Sequence, residues 1–299
     1  MMASRRLVRA LWFAGWLSLP LVVTSPSRGA EPAPSSAHTS SSTEVANVHH
    51  GGGPATSPTA PSRGSVYALD ARVDIPLTLI PGLLSVGWLL VDQPASCAPR
   101  CDRAEVNRFD RIAAGNFDER WRLGSDITLF GTLGGSLAVV LGDGWFLGGA
   151  QDFVVVTQSV LWANGLAAIG NLAVRRPRPL LYGDTAPLES RENPAASLSF
   201  ISGHSALVAA LTTSVFSTTY RRNPYRPLPW VALGVGASAT AVASVGRVMA
   251  GRHFPSDVLL GSALGASTGF LFPALHGSPL RITPVAGRRR GELVASGTW

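Results

Sequence analysis

Residues 246–257 read Gly-Arg-Val-Met-Ala-Gly-Arg-His-Phe-Pro-Ser-Asp, a polar cluster set between two apolar runs. Two clusters of the same kind precede it: Asn-Leu-Ala-Val-Arg-Arg-Pro-Arg-Pro at 171–179 and Ser-Phe-Ile-Ser-Gly-His-Ser-Ala at 199–206. Each lies at the end of an apolar run, where helix ends can bring charged groups to one shared surface without sinking them in hydrocarbon. The expected fold is all-α: a membrane-embedded bundle of about five to six helices with a site at the helix ends.

The residue types in these clusters suit an anion. Arg176, Arg178 and Arg247 carry planar, permanently charged forks that bind oxyanions bidentately. Ser202, Gly203 and His204 stand just before the apolar run 206–216 and are expected in the first turn of a helix, whose free N–H groups and positive dipole end favour phosphate. Gly203 lets the backbone approach closely. His204 and His253 supply two imidazoles that titrate near neutrality, so one can attack phosphorus while the other protonates the leaving oxygen. If Pro255 opens a helix, Asp257 falls in its first turn and can reach back to hold an imidazole N–H.

Taken singly, these features have plainer readings. An arginine cluster after an apolar helix anchors a membrane flank, and an aspartate four residues beyond a histidine caps a helix. Order and spacing change the balance. Arg178-Pro179, Ser202-Gly203-His204, and Arg247 followed by His253 and Asp257 resemble the three-part pattern KxxxxxxRP, PSGH and SRxxxxxHxxxD of the type 2 phosphatidic acid phosphatase superfamily, over about residues 125–275. That superfamily includes lipid phosphate phosphatases, bacterial acid phosphatases and vanadium haloperoxidases. The resemblance implies that His253 is a nucleophile forming a phosphohistidine, Asp257 its orienting partner and His204 the general acid. It also implies that Arg178, Arg247, Ser202 and the Gly203 backbone hold the phosphoryl oxygens, with no metal or cofactor.

Three positions depart from the pattern. The family lysine falls on Asn171, which donates a hydrogen bond but carries no charge. The chain contains no lysine, which makes Arg175 or Arg176 the candidate for the missing charge. Ile201 replaces the motif proline and Gly246 the motif serine, both away from the chemistry.

The 299 residues are 46% apolar and 14% charged, against ~25% charged in ordinary soluble domains, which favours a membrane-associated helical protein. The net charge of +7 is spread over dispersed arginines, without the aromatic interleaving or motif of a nucleic-acid binder. Residues 1–30 place Arg5, Arg6 and Arg9 before an apolar run and then small and polar residues, as a secretory signal peptide or an uncleaved N-terminal anchor does. Residues 31–65 read as a disordered Ser/Pro/Gly-rich linker, and His49 and His50 within it receive no role. Residues 66–280 form the expected helical domain and 281–299 a polar, basic tail.

Apolar segments lie at about 75–92, 126–147, 152–173, 204–219, 229–246 and 257–275. Most approach the ~20 residues that cross a bilayer, the fourth being short. The arginines at 220–226 and 288–290 read as cytoplasmic flanks by the positive-inside rule, which places all three clusters together on the periplasmic side. A cleaved signal then agrees with five spans if 75–92, broken by Pro76 and Pro81, packs against the bundle instead of crossing. Cys97 and Cys101, in a segment expected outside the cytoplasm, can form a local disulfide or remain free thiols.

The expected protein is an inner-membrane enzyme of a bacterial-type envelope, hydrolysing an amphiphilic phosphomonoester or diphosphate at a periplasmic site. The alternatives are a soluble periplasmic acid phosphatase or vanadate-dependent haloperoxidase on the same fold, and a noncatalytic membrane protein that binds lipid phosphates. The sequence does not choose among lipid substrates and carries no signal for oligomeric state.

Overall fold

The structure, a computed structural model, describes residues 64–86, 94–277, 281–286 and 291–296. The signal or anchor at 1–30 and nearly all of the linker lie outside these residues. Among the described residues the domain is built from α1 (Ala71–Leu84), α2 (Glu119–Asp143), α3 (Leu147–Val174), the single turn α4 (Leu188–Arg191), α5 (Gly203–Arg222), α6 (Pro227–Met249) and α7 (Pro255–Gly277).

Among the described residues, four stretches are long and apolar enough to cross a membrane: Glu119–Asp143, Gly148–Tyr182, Pro227–Met249 and Pro255–Gly277. Their outward faces are hydrocarbon, with Ile127, Phe130, Val235, Val242, Leu259 and Leu271 all exposed. A row of this kind needs an apolar neighbour, and this chain is a membrane protein.

The remaining long helix, α5, is the core of the bundle. Thirteen of its residues are buried, and many are Ser or Thr. Their hydroxyls donate to carbonyls one turn back, as from Thr212 to Val208 at 2.8 Å, Thr213 to Ala209 at 2.9 Å and Thr219 to Val215 at 2.8 Å. A self-satisfied hydroxyl can be buried at little cost, so a helix of modest hydropathy occupies the centre.

Helix α7 lies close against α5 along Gly261, Gly265 and Gly269. A Cβ at these positions would run into the carbonyl oxygens of Ser202, Ala206 and Ala210 respectively. Such a small-residue stripe lets two backbones approach where lipid supplies no hydrophobic drive. Helices α2, α5 and α7 start, and α3 and α6 end, at the same end of the bundle. That end carries all three polar clusters.

Helix α1 is too short to span, with 14 residues and Pro76 and Pro81 inside it. Pro81 has no N–H to offer the Leu77 carbonyl one turn back, and Trp162 Nε1 on α3 donates to that oxygen at 3.0 Å. Buried Asp74 on α1 accepts from Gln158 at 2.9 Å and contacts His276 Nε2 at 2.8 Å. The described part of the segment expected to pack rather than cross is thus pinned to α3 and α7, and its residues 87–92 lie outside the described residues.

Over the site end lies the segment 94–117. Cys97 and Cys101 are joined in a disulfide. Cys101 packs with Leu180, Leu181, Ala186 and Ala196, and its N–H donates to the Leu181 carbonyl at 2.9 Å. The C-terminal stretch, read as a polar tail, pairs as an antiparallel hairpin of β1 (Arg281–Ala286) and β2 (Gly291–Ser296), with Arg281 opposite Ser296. Ile282, Thr283, Val285 and Val294 favour pleated backbone, a preference that the charge count obscured.

Candidate active site

The first cluster begins where α3 stops. Arg175 ends the helix in the left-handed region, φ 49°, and the prolines that follow at 177 and 179 cannot continue it, Pro179 instead opening a short 3-10 turn, Pro179–Tyr182. Asn171 donates its amide to the carbonyls of Ala167 at 2.9 Å and Ile201 at 3.0 Å, tying α3 to the second cluster. Arg178 is anchored through its backbone N–H to the Ala196 carbonyl at 2.8 Å and through Nε to the Leu198 carbonyl at 3.3 Å.

Arg176 is differently employed from the expectation. Its Nη1 donates to Asp257 Oδ1 at 2.7 Å and Ser256 Oγ at 2.9 Å, and its Nη2 donates to Asp110 Oδ2 at 2.8 Å. The guanidinium also lies 4.0 Å over the Phe254 ring. Two carboxylates and a ring occupy the group expected to face a phosphate, so Arg176 is a strut between the first and third clusters.

In the second cluster Ser202 caps α5, its Oγ accepting from the Ser205 N–H at 3.4 Å and lying 3.1 Å from Ser205 Oγ. Its own N–H donates to the Asp257 carbonyl at 3.1 Å. Gly203 and His204 form the first helical turn, as expected. His204 Nε2 lies 2.8 Å from Asp126 Oδ1 on α2.

The third cluster turns sharply. Gly251 adopts φ +66°, and a Cβ there would overlap the Asn116 carbonyl, so both conformation and space call for glycine. The turn lets the Arg247 carbonyl accept from the N–H of Arg252 at 3.0 Å and of His253 at 3.3 Å. His253 is 4% exposed and its Nδ1 lies 2.6 Å from the Ser199 carbonyl. A carbonyl only accepts, so Nδ1 carries the proton and Nε2 the lone pair. Burial first, then the fields of Arg247 and Arg178, hold this imidazole well below its ordinary pKa. At neutral pH it is uncharged.

Pro255 does open α7 and Asp257 does sit in its first turn, but the carboxylate does not hold the imidazole directly. It accepts from Ser199 Oγ at 2.6 Å, Phe254 N at 2.9 Å and Arg176. Ser199 stands between the two.

The arrangement concentrates positive charge. Arg178 lies in the fields of Arg252 and Arg247, and His253 in those of Arg247, Arg178 and His204. Arg252 meets Glu119 at only 3.7 Å, and the buried Nε atoms of Arg247 and Arg252 have no hydrogen-bond partner among the described residues. Burial lowers the Arg252 pKa, with Arg122 adding to the effect against Glu119 and Asp126. Three guanidinium groups gathered around two imidazoles make a receptor for an anion.

Four site residues escaped the sequence reading: Asp110, Asp126, Ser199 and Arg252. Asp126 carried a usable signal, because a carboxylate inside a helix of spanning length is expensive and usually functional. Asp110 supports the site from behind by accepting from Ser256 N at 2.9 Å, Ser256 Oγ at 2.6 Å and Arg176. Burial raises its carboxyl pKa, but these bonds outweigh that and hold it below the ordinary range. A cavity of about 500 Å³ opens on the outer side of Arg176, beside Glu105, Asn107 and Tyr182.

Comparison with known proteins matches the stretch of chain that holds the three clusters. The chain is 32% identical to the lipid A 1-phosphatase of Rhizobium etli over 193 residues, 61% of this chain and 75% of that protein. It is 30% identical to the decaprenylphosphoryl-5-phosphoribose phosphatase of Mycobacterium tuberculosis over 137 residues, 46% of this chain and 64% of that one. Among solved structures, the transmembrane PAP2 type phosphatidylglycerolphosphate phosphatase of Bacillus subtilis aligns with TM-score 0.40 and 22% identity, over 67% of this chain and 93% of that chain. Residues 153–279, which carry all three clusters, match the PAP2 superfamily. With the three clusters gathered at one end of a helical bundle and three quarters of a lipid A 1-phosphatase covered, the chain belongs to the PAP2 superfamily.

Proposed function

We propose that this protein hydrolyses the phosphate of a membrane lipid, as monoester or diphosphate, through a phosphohistidine on His253 and without a metal. The observation that carries the reading is the placement of His253: buried, with Nδ1 2.6 Å from the Ser199 carbonyl, so that Nε2 is left to attack beside three arginines, a placement with which its depressed pKa agrees. In the first step the Nε2 lone pair forms the N–P bond, the P–O bond to the lipid breaks, and the departing oxygen takes a proton from His204. In the second, water attacks the phosphohistidine and gives its proton to His204, and inorganic phosphate departs as the N–P bond breaks. Arg178, Arg247 and Arg252 stabilise the charge that spreads over the equatorial oxygens.

A lipid substrate is supported by the two curated relatives, whose names specify lipid A and a decaprenyl phosphosugar, and by a site at the ends of spanning helices. An extracytoplasmic orientation is supported by the Cys97–Cys101 disulfide beside the site, since such bonds persist in oxidising compartments. The arginines at 220–226, at the other end of α5, agree with a cytoplasmic flank.

The test is phosphate release by the purified protein in detergent with EDTA, from a panel of lipid phosphates and one water-soluble monoester, beside His253→Ala. Release that survives EDTA, vanishes in the variant and passes through an acid-labile, base-stable phosphoenzyme supports the proposal. Release untouched by His253→Ala removes the nucleophile assignment. A folded protein that binds these lipids and releases nothing is a binding protein.

A further inference from the structure

The two histidines have different partners. His253 Nδ1 faces a neutral carbonyl, whereas His204 Nε2 faces a carboxylate, Asp126 Oδ1, at 2.8 Å. Asp126 lies on α2, outside every motif noted in the sequence, on a helix long and apolar enough to cross a membrane. A carboxylate retained there must serve something. Its Oδ2 accepts from Arg122 Nη1 at 2.6 Å, while Oδ1 takes both His204 and, at 3.4 Å, Arg247 Nη1. Arg122 is already paired with Glu119, so neutralising Arg122 does not account for the bond to His204.

We propose that Asp126 positions His204 as the acid of the reaction: its carboxylate takes the imidazole Nε2–H and leaves Nδ1–H for the departing oxygen. The groups whose charge or hydrogen bond acts on His204 are Asp126, with Arg122 behind it, from α2; Arg178 from the segment after α3; Arg247 from α6; and His253 from the turn before α7. Arg247 and Arg178 both disfavour a positive charge on the ring. Asp126 is the carboxylate, among the described residues, that hydrogen-bonds it. A nucleophile needs a lone pair and an acid needs a proton, and the partners divide accordingly. Asp126 touches no reacting atom in this scheme, so it is a positioning residue. The inference rests on the hydrolytic reading above for the identity of the proton's recipient, but the pairing itself can be measured independently.

Two readouts test it in detergent-solubilised protein. The first is the titration of His204 followed by ¹⁵N NMR of histidine-labelled full-length chain, with His204→Gln for assignment. In Asp126→Asn the His204 midpoint is expected at lower pH, with partial return in Asp126→Glu; a midpoint that stays in place overturns the proposal whether or not any substrate is turned over. The second compares kcat/KM, which reports phosphoenzyme formation, for an alkyl lipid phosphate and for p-nitrophenyl phosphate, whose leaving oxygen needs no proton. Asp126→Asn is expected to lose ~100-fold on the alkyl ester, the low end of general-acid contributions, and far less on the aryl ester. Equal losses on both would mean that Asp126 only holds the fold. Absence of turnover in the wild type would sink the hydrolytic reading and leave the NMR comparison to decide Asp126.

Discussion

Asp257 reaches His253 through a single intervening residue: Ser199 donates its hydroxyl to the carboxylate at 2.6 Å, and its carbonyl lies 2.6 Å from the imidazole Nδ1. Ser199→Ala removes the hydroxyl and keeps the carbonyl. It is expected to lower stability by ~1.5–3 kcal/mol, the usual value for a hydrogen bond to a charged group, and to leave kcat/KM within about tenfold of wild type. Thermal unfolding and phosphate release on one preparation check both halves; a loss of turnover as deep as that of His253→Ala would show that the hydroxyl itself takes part.

Arg176 and Arg252 are expected to separate in the same assays. Arg176 joins buried Asp110 and Asp257, and breaking a buried pair by deleting one partner costs ~3–5 kcal/mol, so Arg176→Ala should fail mainly in stability. Arg252→Gln should keep its melting temperature and weaken competitive inhibition by orthovanadate about tenfold, the equivalent of ~1.4 kcal/mol. Unchanged vanadate inhibition in Arg252→Gln would take Arg252 out of the anion receptor.

The pH dependence has a definite sign. Burial first, then Arg247 and Arg178, depress the His253 pKa in the folded protein, so below the ordinary ~6.5 of a free imidazole the unfolded chain binds the extra proton and the native one resists it. His253 therefore contributes a loss of stability as pH falls from about 6.5 toward its native value. Melting temperatures between pH 7 and 5 should fall less steeply for His253→Gln than for wild type. Parallel slopes would mean that the imidazole is not held neutral.

The disulfide closes a short loop, with a sequence separation of 4, for which chain entropy gives about 2 kcal/mol. Cys97→Ser with Cys101→Ser should lower the melting temperature by a few degrees. Because the loop packs on Leu180 and Leu181, just after Arg178, KM is expected to rise more than kcat falls. A KM identical to that of the oxidised wild type would detach the loop from the site.

The helix ends were legible in the sequence because apolar runs, prolines and polar clusters are local signals: Pro255 opening α7 follows from proline's geometry, whereas Pro76 and Pro81 lie inside α1 and do not set its ends. The partners were not legible. Asp126 lies 78 residues from His204, and Asp110 lies 66 from Arg176; such pairings depend on how helices stack, which no short window encodes. The four-residue spacing of His253 and Asp257 suggested a direct contact, and the turn at Phe254 spent that carboxylate on a backbone N–H and on Ser199 instead. The fourth apolar run, 204–219, read as short, whereas α5 continues to Arg222 and its threonine hydroxyls are satisfied within the helix.

The glycine stripe on α7 also bears on distance. His204 rides on the first turn of α5, and His253 on the turn that leads into α7, so the gap between the two imidazoles proposed to attack and to give the proton is set by how near the two helix shafts lie. That spacing is fixed at Gly261, Gly265 and Gly269, where even a methyl group would strike opposing backbone or a threonine hydroxyl. A side chain added at Gly265, about two turns below Asp257 and touching no polar group of the candidate site, would therefore spread the two imidazoles apart, and the reach between them becomes a dimension cut into the body of the bundle rather than into its loops.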